Sequence, residues 1–312
     1  MIHPIPSGTR DVLPDEMREL RAISEALRGV FDDAGYGEVW TPTIEFEDVL
    51  RRGETGLDPA YRVVDDHGHV MALRPDMTVP IARVVATRYA EAEPPLRFCY
   101  FAHAYRGVRP RRGQMREFLQ AGIELVGAPA PDGTVEALTV LCRALDATGL
   151  TGYRVALGDA ALLPALLTVL GVPADAHPPL LSAVAARDLV ALEEELERRG
   201  LDDEVRRVVE LRGGAEVLDG LPDEATFGLR GVLDGVDERV RERLVLDLGL
   251  ARGLGYYTGA VFDVLDPALG APIGGGGRYD DLLGRFGRDL PAVGFALGVD
   301  RLHLALAGEE AA

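Results

Sequence analysis

The chain has 312 residues, 47% of them hydrophobic and 27% charged, with a formal net charge of -18. That size and balance suit one large folded domain or two modest ones, and they exclude a chain disordered along its length. The acidic surplus argues against broad nucleic-acid binding, and no apolar run reaches membrane-spanning length. The opening residues lack the apolar stretch of a signal peptide. Cys99 and Cys142 stand far apart and read as reduced core thiols of a cytoplasmic protein.

Residues 15–34 place Met17, Leu20, Ile23, Leu27, Val30 and Phe31 on one helical stripe, closed by Gly35 and Gly37. "GEVWTPTIEF" follows as an extended segment, with Pro42 at an edge or bulge. "HVMALRP" predicts a short strand, and His67 and His69 before it sit in a hairpin turn with no metal expected. "DMTVPIARVVATRYA" predicts a helix with Pro80 in its first turn. "PLRFCYFAHAY" and "EFLQAGIELVG" predict two antiparallel strands joined by a long loop. "TVEALTVLCRALDATG" predicts a helix and "YRVALG" a strand.

Between 159 and 240 the pattern turns to short helices broken by Gly and Pro. Strand character returns in "RLVLDLG", "GAVFDVLD" and "AVGFALG", and "VDRLHLALAG" predicts a closing helix. One sheet built from both flanks therefore holds a core of 1–158 and 241–312, with 159–240 as a helical insertion. The class is α+β, with a mixed, mostly antiparallel sheet and flanking helices.

Four groups carry candidate chemistry. "LRPDMT" holds Arg74, Asp76 and Thr78. The paired strands hold Arg106, Gln120 and Glu124, and the last two share a face because they are four apart in an extended strand. "ARGLGYYTG" holds Arg252, Tyr256 and Tyr257. "GGGGRYDDLL" and "AVGFALGVDRL" form the fourth group; the glycine run lacks the lysine and spacing of a phosphate loop and suits a close approach of backbone to a ligand or another strand. Each has a plainer reading as well. Loop arginines such as Arg109, Arg111, Arg112 and Arg116 are commonly solvated, Glu124 fits the outward side of an alternating strand, and twin tyrosines commonly fill a core.

Together the groups suit a free amino acid. Its carboxylate needs a cation, for which Arg106 or Arg252 is available, and forked arginine bonds give direction. Its ammonium suits Asp76 with Thr78 and Gln120, and an imidazole side chain suits Glu124 and the tyrosines.

In this order the groups resemble the catalytic core of class II aminoacyl-tRNA synthetases, and of histidyl-tRNA synthetases in particular. "GTRDVLP" resembles the family's opening and "EVWTPTIE" its dimer-forming first motif. "YRGVRPRRGQMREFLQAGIELVG" resembles the second motif, "ARGLGYYTGAVFDV" and "GGGGRYDDLL" the two histidine-specific motifs, and "PAVGFALGVDRL" the third, with Arg301 at its ATP-binding arginine. The chain departs from the synthetases at three positions. Val108 stands where an acid helps hold adenine, and valine cannot accept the adenine amino group. Gly255 replaces the acid of the "RGLDYY" pattern, and Leu119 stands where histidine is common. The chain stops directly after the third motif, which implies no anticodon-binding domain.

With "LRPDMT" in place of "LRPEGT", the sequence is similar to the regulatory subunits of ATP phosphoribosyltransferase. That resemblance implies a non-catalytic, cofactor-free subunit that joins the short-form catalytic chain at the first step of histidine biosynthesis and senses L-histidine. It implies a homodimer through the first motif within a hetero-octamer, with no tRNA and no membrane as partner. Histidine-binding positions carried over are Asp76, Thr78, Arg106, Gln120, Glu124, Arg252, Tyr256 and Tyr257, and Arg106 and Arg301 are candidates for a vestigial ATP site. The other loop arginines are a relic of ATP binding, a solvated rim or a partner contact. A truncated, ATP-dependent histidine ligase is the alternative.

Overall fold

The structure, a computed structural model, describes residues 5–53, 60–107, 115–201, 204–250 and 255–310. Val108, Arg109, Arg111, Arg112 and Arg252 lie outside the described residues.

Helix α1 (Pro14–Asp33) starts on a proline with Asp15 and Glu16 in its first turn, which suits the positive end of the helix dipole. It buries Leu20, Ile23, Leu27 and Phe31. The predicted extended stretch after it divides. Strand β1 (Gly37–Glu38) joins one sheet, and β2 (Ile44–Phe46) joins another, with Pro42 in the link between them. A short helix α2 (Glu47–Arg51) leads to β3 (Arg62–Val64), β4 (Val70–Leu73) and α3 (Thr78–Arg88). Strands β2, β4 and β3 form a small antiparallel sheet. His67 and His69 sit in the β3–β4 turn, where the Asp65 carboxylate accepts both their backbone N–H groups.

The long strands β5 (Leu96–Tyr105) and β6 (Glu117–Val126) pair antiparallel along their length. Helix α4 (Asp132–Ala147) and strand β7 (Arg154–Asp159) follow. Next come α5 (Leu162–Val169), α6 (His177–Ala185), α7 (Leu189–Arg199), α8 (Glu204–Glu210), β8 (Arg212–Gly213) and α9 (Asp223–Gly235). The chain then forms α10 (Glu238–Arg243), β9 (Leu244–Asp247), β10 (Ala260–Leu265), β11 (Gly274–Arg278), β12 (Ala292–Gly298) and α11 (Val299–Glu310).

The main sheet has the order β1-β5-β6-β12-β11-β10-β7-β9-β8. Strands from both flanks of the 159–240 block build it, as the sequence pattern predicts. Only the pairs β1–β5 and β7–β9 run parallel among the described residues. The block itself departs from a purely helical reading, because β8 pairs with β9 at the sheet edge. The glycine run is also a finding: Gly274–Arg278 is an interior strand, β11, between β10 and β12.

One face of this sheet presents Ile123, Leu125, Phe295 and Leu297 to a core shared with α1, α4 and the helices of the 159–240 block. That core is continuous, so α5–α9 do not bury a separate one. The opposite face carries a smaller apolar cluster, including Met77, Ile81, Tyr100, Tyr256 and Tyr279. The candidate site lies on this second face.

Candidate amino-acid site

Strand alternation turns Gln120, Gly122 and Glu124 of β6 to one face. Their register partners on β12 are Gly298, Ala296 and Gly294. Beyond β12, Gly294 pairs with Gly277 of β11. Small residues therefore floor the sheet beside the polar positions. A Cβ at Gly294 would lie 2.0 Å from Glu124 Oε2, and one at Gly277 would lie 2.7 Å from the Tyr257 ring. The glycines are present because the acid and the tyrosine occupy the space a side chain would need.

Glu124 is only 2% exposed. Thr78, at the start of α3, donates its hydroxyl to Glu124 Oε1 at 2.7 Å. The Tyr279 hydroxyl donates to Glu124 Oε2. Burial pushes the carboxyl up to about 8, the nearby charge of Asp76 adds to this, and the two hydroxyl donors oppose it. Asp76 is buried too, and burial raises its carboxyl above the ordinary range. The N–H of Val79 at 3.3 Å and the positive charge of Arg106 pull it back. Two desolvated acids thus face one space, an arrangement that gains from an entering cation.

Tyrosines close the acidic end. Tyr256 is buried, hydrogen-bonds with Thr78, and lies with ring centroids 5.0 Å from Tyr257, tilted, and 5.7 Å from Tyr279, edge to face. Tyr100 is buried beneath Gly122, and the charges of Glu124 and Asp76 act on it. Gln120 is 8% exposed, and its Oε1 has no hydrogen-bond partner among the described residues. A buried amide oxygen of this kind costs free energy until a donor reaches it.

The other end is cationic. Arg106 is exposed, with its guanidinium 5.1 Å from the Phe118 ring centroid. Arg301, on α11, is half-buried and donates to the Pro272 carbonyl at 2.5 Å. Burial lowers Arg301, and the like charge of Arg106 lowers it further. An anion placed between these cations would relieve both.

The structure therefore brings Asp76, Thr78, Gln120, Glu124, Tyr256 and Tyr257 to one face, with Arg106 at its rim. Glu124 is not the outward residue that alternation alone allows, because α3 and Tyr279 cover it. Leu119 serves through its backbone, whose N–H donates to Asp300 on α11 at 3.1 Å. Gly255 lies in an exposed turn. Arg74 has a structural task instead: it is buried, and backbone carbonyls of other segments hold it. Tyr279, Tyr100 and Gly294 belong to the candidate site by position, and the sequence reading passed over them. "RYD" after the glycine run was the available signal for Tyr279. Among the described residues no cluster of three or more His, Cys, Asp or Glu side chains suits a metal ion, and no helix is long and apolar enough to cross a membrane.

Comparison with known proteins shows the family. An ATP phosphoribosyltransferase regulatory subunit of Moorella thermoacetica is 43% identical over 96% of this chain and 81% of its own length. One from Desulforamulus reducens is 40% identical over 96% of this chain and 78% of its own. A solved structure described as an ATP phosphoribosyltransferase regulatory subunit/histidyl-tRNA synthetase, from Bacillus halodurans, superposes with a TM-score of 0.90 at 28% identity, covering 98% of this chain and 84% of that one. The sequence profile of histidyl-tRNA synthetase matches residues 8–302. This chain belongs to the histidyl-tRNA synthetase family.

Proposed function

We propose that this chain is the non-catalytic regulatory subunit of ATP phosphoribosyltransferase, and that it senses L-histidine in the site built around Glu124. The regulatory-subunit relatives, aligned over most of their own length, support the role in histidine biosynthesis. The observation that carries the ligand assignment is Glu124 itself: a buried carboxyl, raised by burial, beside a second buried acid on a glycine floor.

In this reading the ligand ammonium lies against Asp76, Thr78 and Gln120 and supplies the donor that Gln120 Oε1 lacks. The imidazole N–H groups meet Glu124, Tyr256 and Tyr257. The carboxylate pairs with Arg106 or Arg252. Histidine favours one conformation of the assembly over another and so changes the catalytic chain's activity, with a coupling of about 1–3 kcal/mol sufficient for a useful switch. The partner is the short-form catalytic subunit in a hetero-octamer, and no tRNA is bound. Residues 1–158 and 241–312 act as the synthetase-like core, with 159–240 as an insertion.

Two copies associate through the first motif. Trp40 is 91% exposed, and Ile44, Phe46, Val63, Val64 and Val70 lie exposed on the neighbouring small sheet. Exposed apolar side chains beside the edge strand β1 favour a self-complementary contact.

The pairing of Arg106 and Arg301 favours one second reading, a histidine-activating ligase, because two cations there would also stabilise phosphate charge. Calorimetry with L-histidine tests the first reading: saturable binding supports it, and no heat removes it. Histidine-dependent exchange of pyrophosphate into ATP tests the second and is expected to be absent.

A further inference from the structure

The link between β1 and β2 has two sides. Outward it carries Trp40, the single tryptophan of the chain, on a cleft of about 650 Å³ also lined by Pro42, Phe46 and Tyr89. Inward it is gripped by Arg74. The Arg74 guanidinium donates to the carbonyls of Thr41 at 2.7 Å and Pro42 at 3.2 Å. Its Nε donates to the carbonyl of His103 on β5 at 2.8 Å. The Arg74 backbone N–H donates to Thr43, and its carbonyl accepts from Tyr105, the residue before Arg106. Two positions onward the chain reaches Asp76.

Arg74 is 4% exposed, and none of its described hydrogen-bond partners is a carboxylate. Neutral carbonyls from separate segments are what offset the desolvation of this charge. Moving any one of them away leaves a donor of a buried cation unsatisfied, so the segments shift together or not at all. A second tie runs in parallel: the Thr41 hydroxyl contacts Met77 Sδ at 3.7 Å, and Met77 is wholly buried between Asp76 and Thr78. A third joins α3 to β2, where Arg83 donates to the buried Glu45 at 2.6 Å.

We infer that Arg74 is a positioning residue that couples the Trp40 face to the Glu124 site, so that association of two copies and ligand binding alter each other's affinity. This rests on the reading of the Glu124 site as a histidine pocket and of the Trp40 face as the contact between copies. Linkage requires the effect to be reciprocal.

The test uses the full chain. Trp40 emission follows dissociation of the dimer on dilution, with and without saturating L-histidine, and calorimetry gives histidine affinity above and below the dimer midpoint. Histidine is expected to change the dimer dissociation constant on the order of tenfold, and dissociation to change the affinity of each of the two sites by the square root of that factor, about threefold. In Arg74→Lys, whose point-like ammonium cannot reach the carbonyls of both the β1–β2 link and β5, both events persist and the factor falls to within about twofold of one. Thr41→Val removes the hydroxyl contact to Met77 and the 3.4 Å hydrogen bond that the hydroxyl accepts from Arg74, and lowers the factor part-way; it serves as the second variant if Arg74→Lys does not fold. A wild-type chain that binds histidine and dimerises with no reciprocal effect overturns the inference and leaves the pocket standing. Undiminished coupling in the folded variants overturns the role of Arg74. A wild-type chain that binds no histidine overturns both.

Discussion

Glu124→Gln preserves the shape of the side chain and an acceptor for Thr78 or Tyr279, and removes the charge. The wild-type carboxyl sits near 8 in the folded protein and at about 4.5 when exposed. Between those values the folded state holds a proton that the unfolded state has released, so stability falls as pH rises. At about 1.4 kcal/mol per tenfold, the full loss above pH 8 is on the order of 5 kcal/mol, and it is absent below pH 4.5. Glu124 is 2% exposed, so solvent screens its charge little. The glutamine variant has no such loss. Asp76 is present in both proteins, so its own titration largely cancels in the difference. Urea unfolding without ligand, at pH 5, 7 and 9, measures it. The variant is expected to match the wild type or fall slightly below it at pH 5, and to gain several kcal/mol on it by pH 9. Parallel stability profiles across this range would refute the claim that burial holds the proton on Glu124.

Arg106→Ala should weaken histidine binding by about tenfold or more, the scale of one charged hydrogen bond, while Arg301→Ala leaves it within about twofold; calorimetry on both variants checks this, and equal losses would move the carboxylate contact. Gly294→Ala places a methyl group 2.0 Å from Glu124 Oε2, so the variant should lose about 1–3 kcal/mol and its histidine binding; an unchanged thermal midpoint with intact binding would show that the glycine floor is not needed. Mixed with a short-form phosphoribosyltransferase, the chain should co-elute with it and raise its activity; two separate peaks with unchanged activity would remove the regulatory role.

Local periodicity by itself determined much of this protein. Burying one stripe of Leu20, Ile23, Leu27 and Phe31 required α1 as a helix. Alternation in β6 required Gln120 and Glu124 to share a face. Motif order pointed to the family and to candidate pocket residues, because the chemistry of their side chains is visible in their type.

What only the tertiary structure decided depends on contacts distant in sequence. Tyr279 reaches Glu124 across 155 positions, and no local pattern specifies that the two meet. The glycine run shows only that backbone passes close to a ligand or another strand until β10 and β12 flank it, since strand propensity is a property of neighbours as much as of residues. Arg74 stands in a candidate ligand motif by type, yet burial among carbonyls of two distant segments makes it a clamp. Alternation offers Glu124 either face of the sheet; the packing of α3 and Tyr279 over one of them turned an ordinary strand acid into a buried one, and desolvation did the rest.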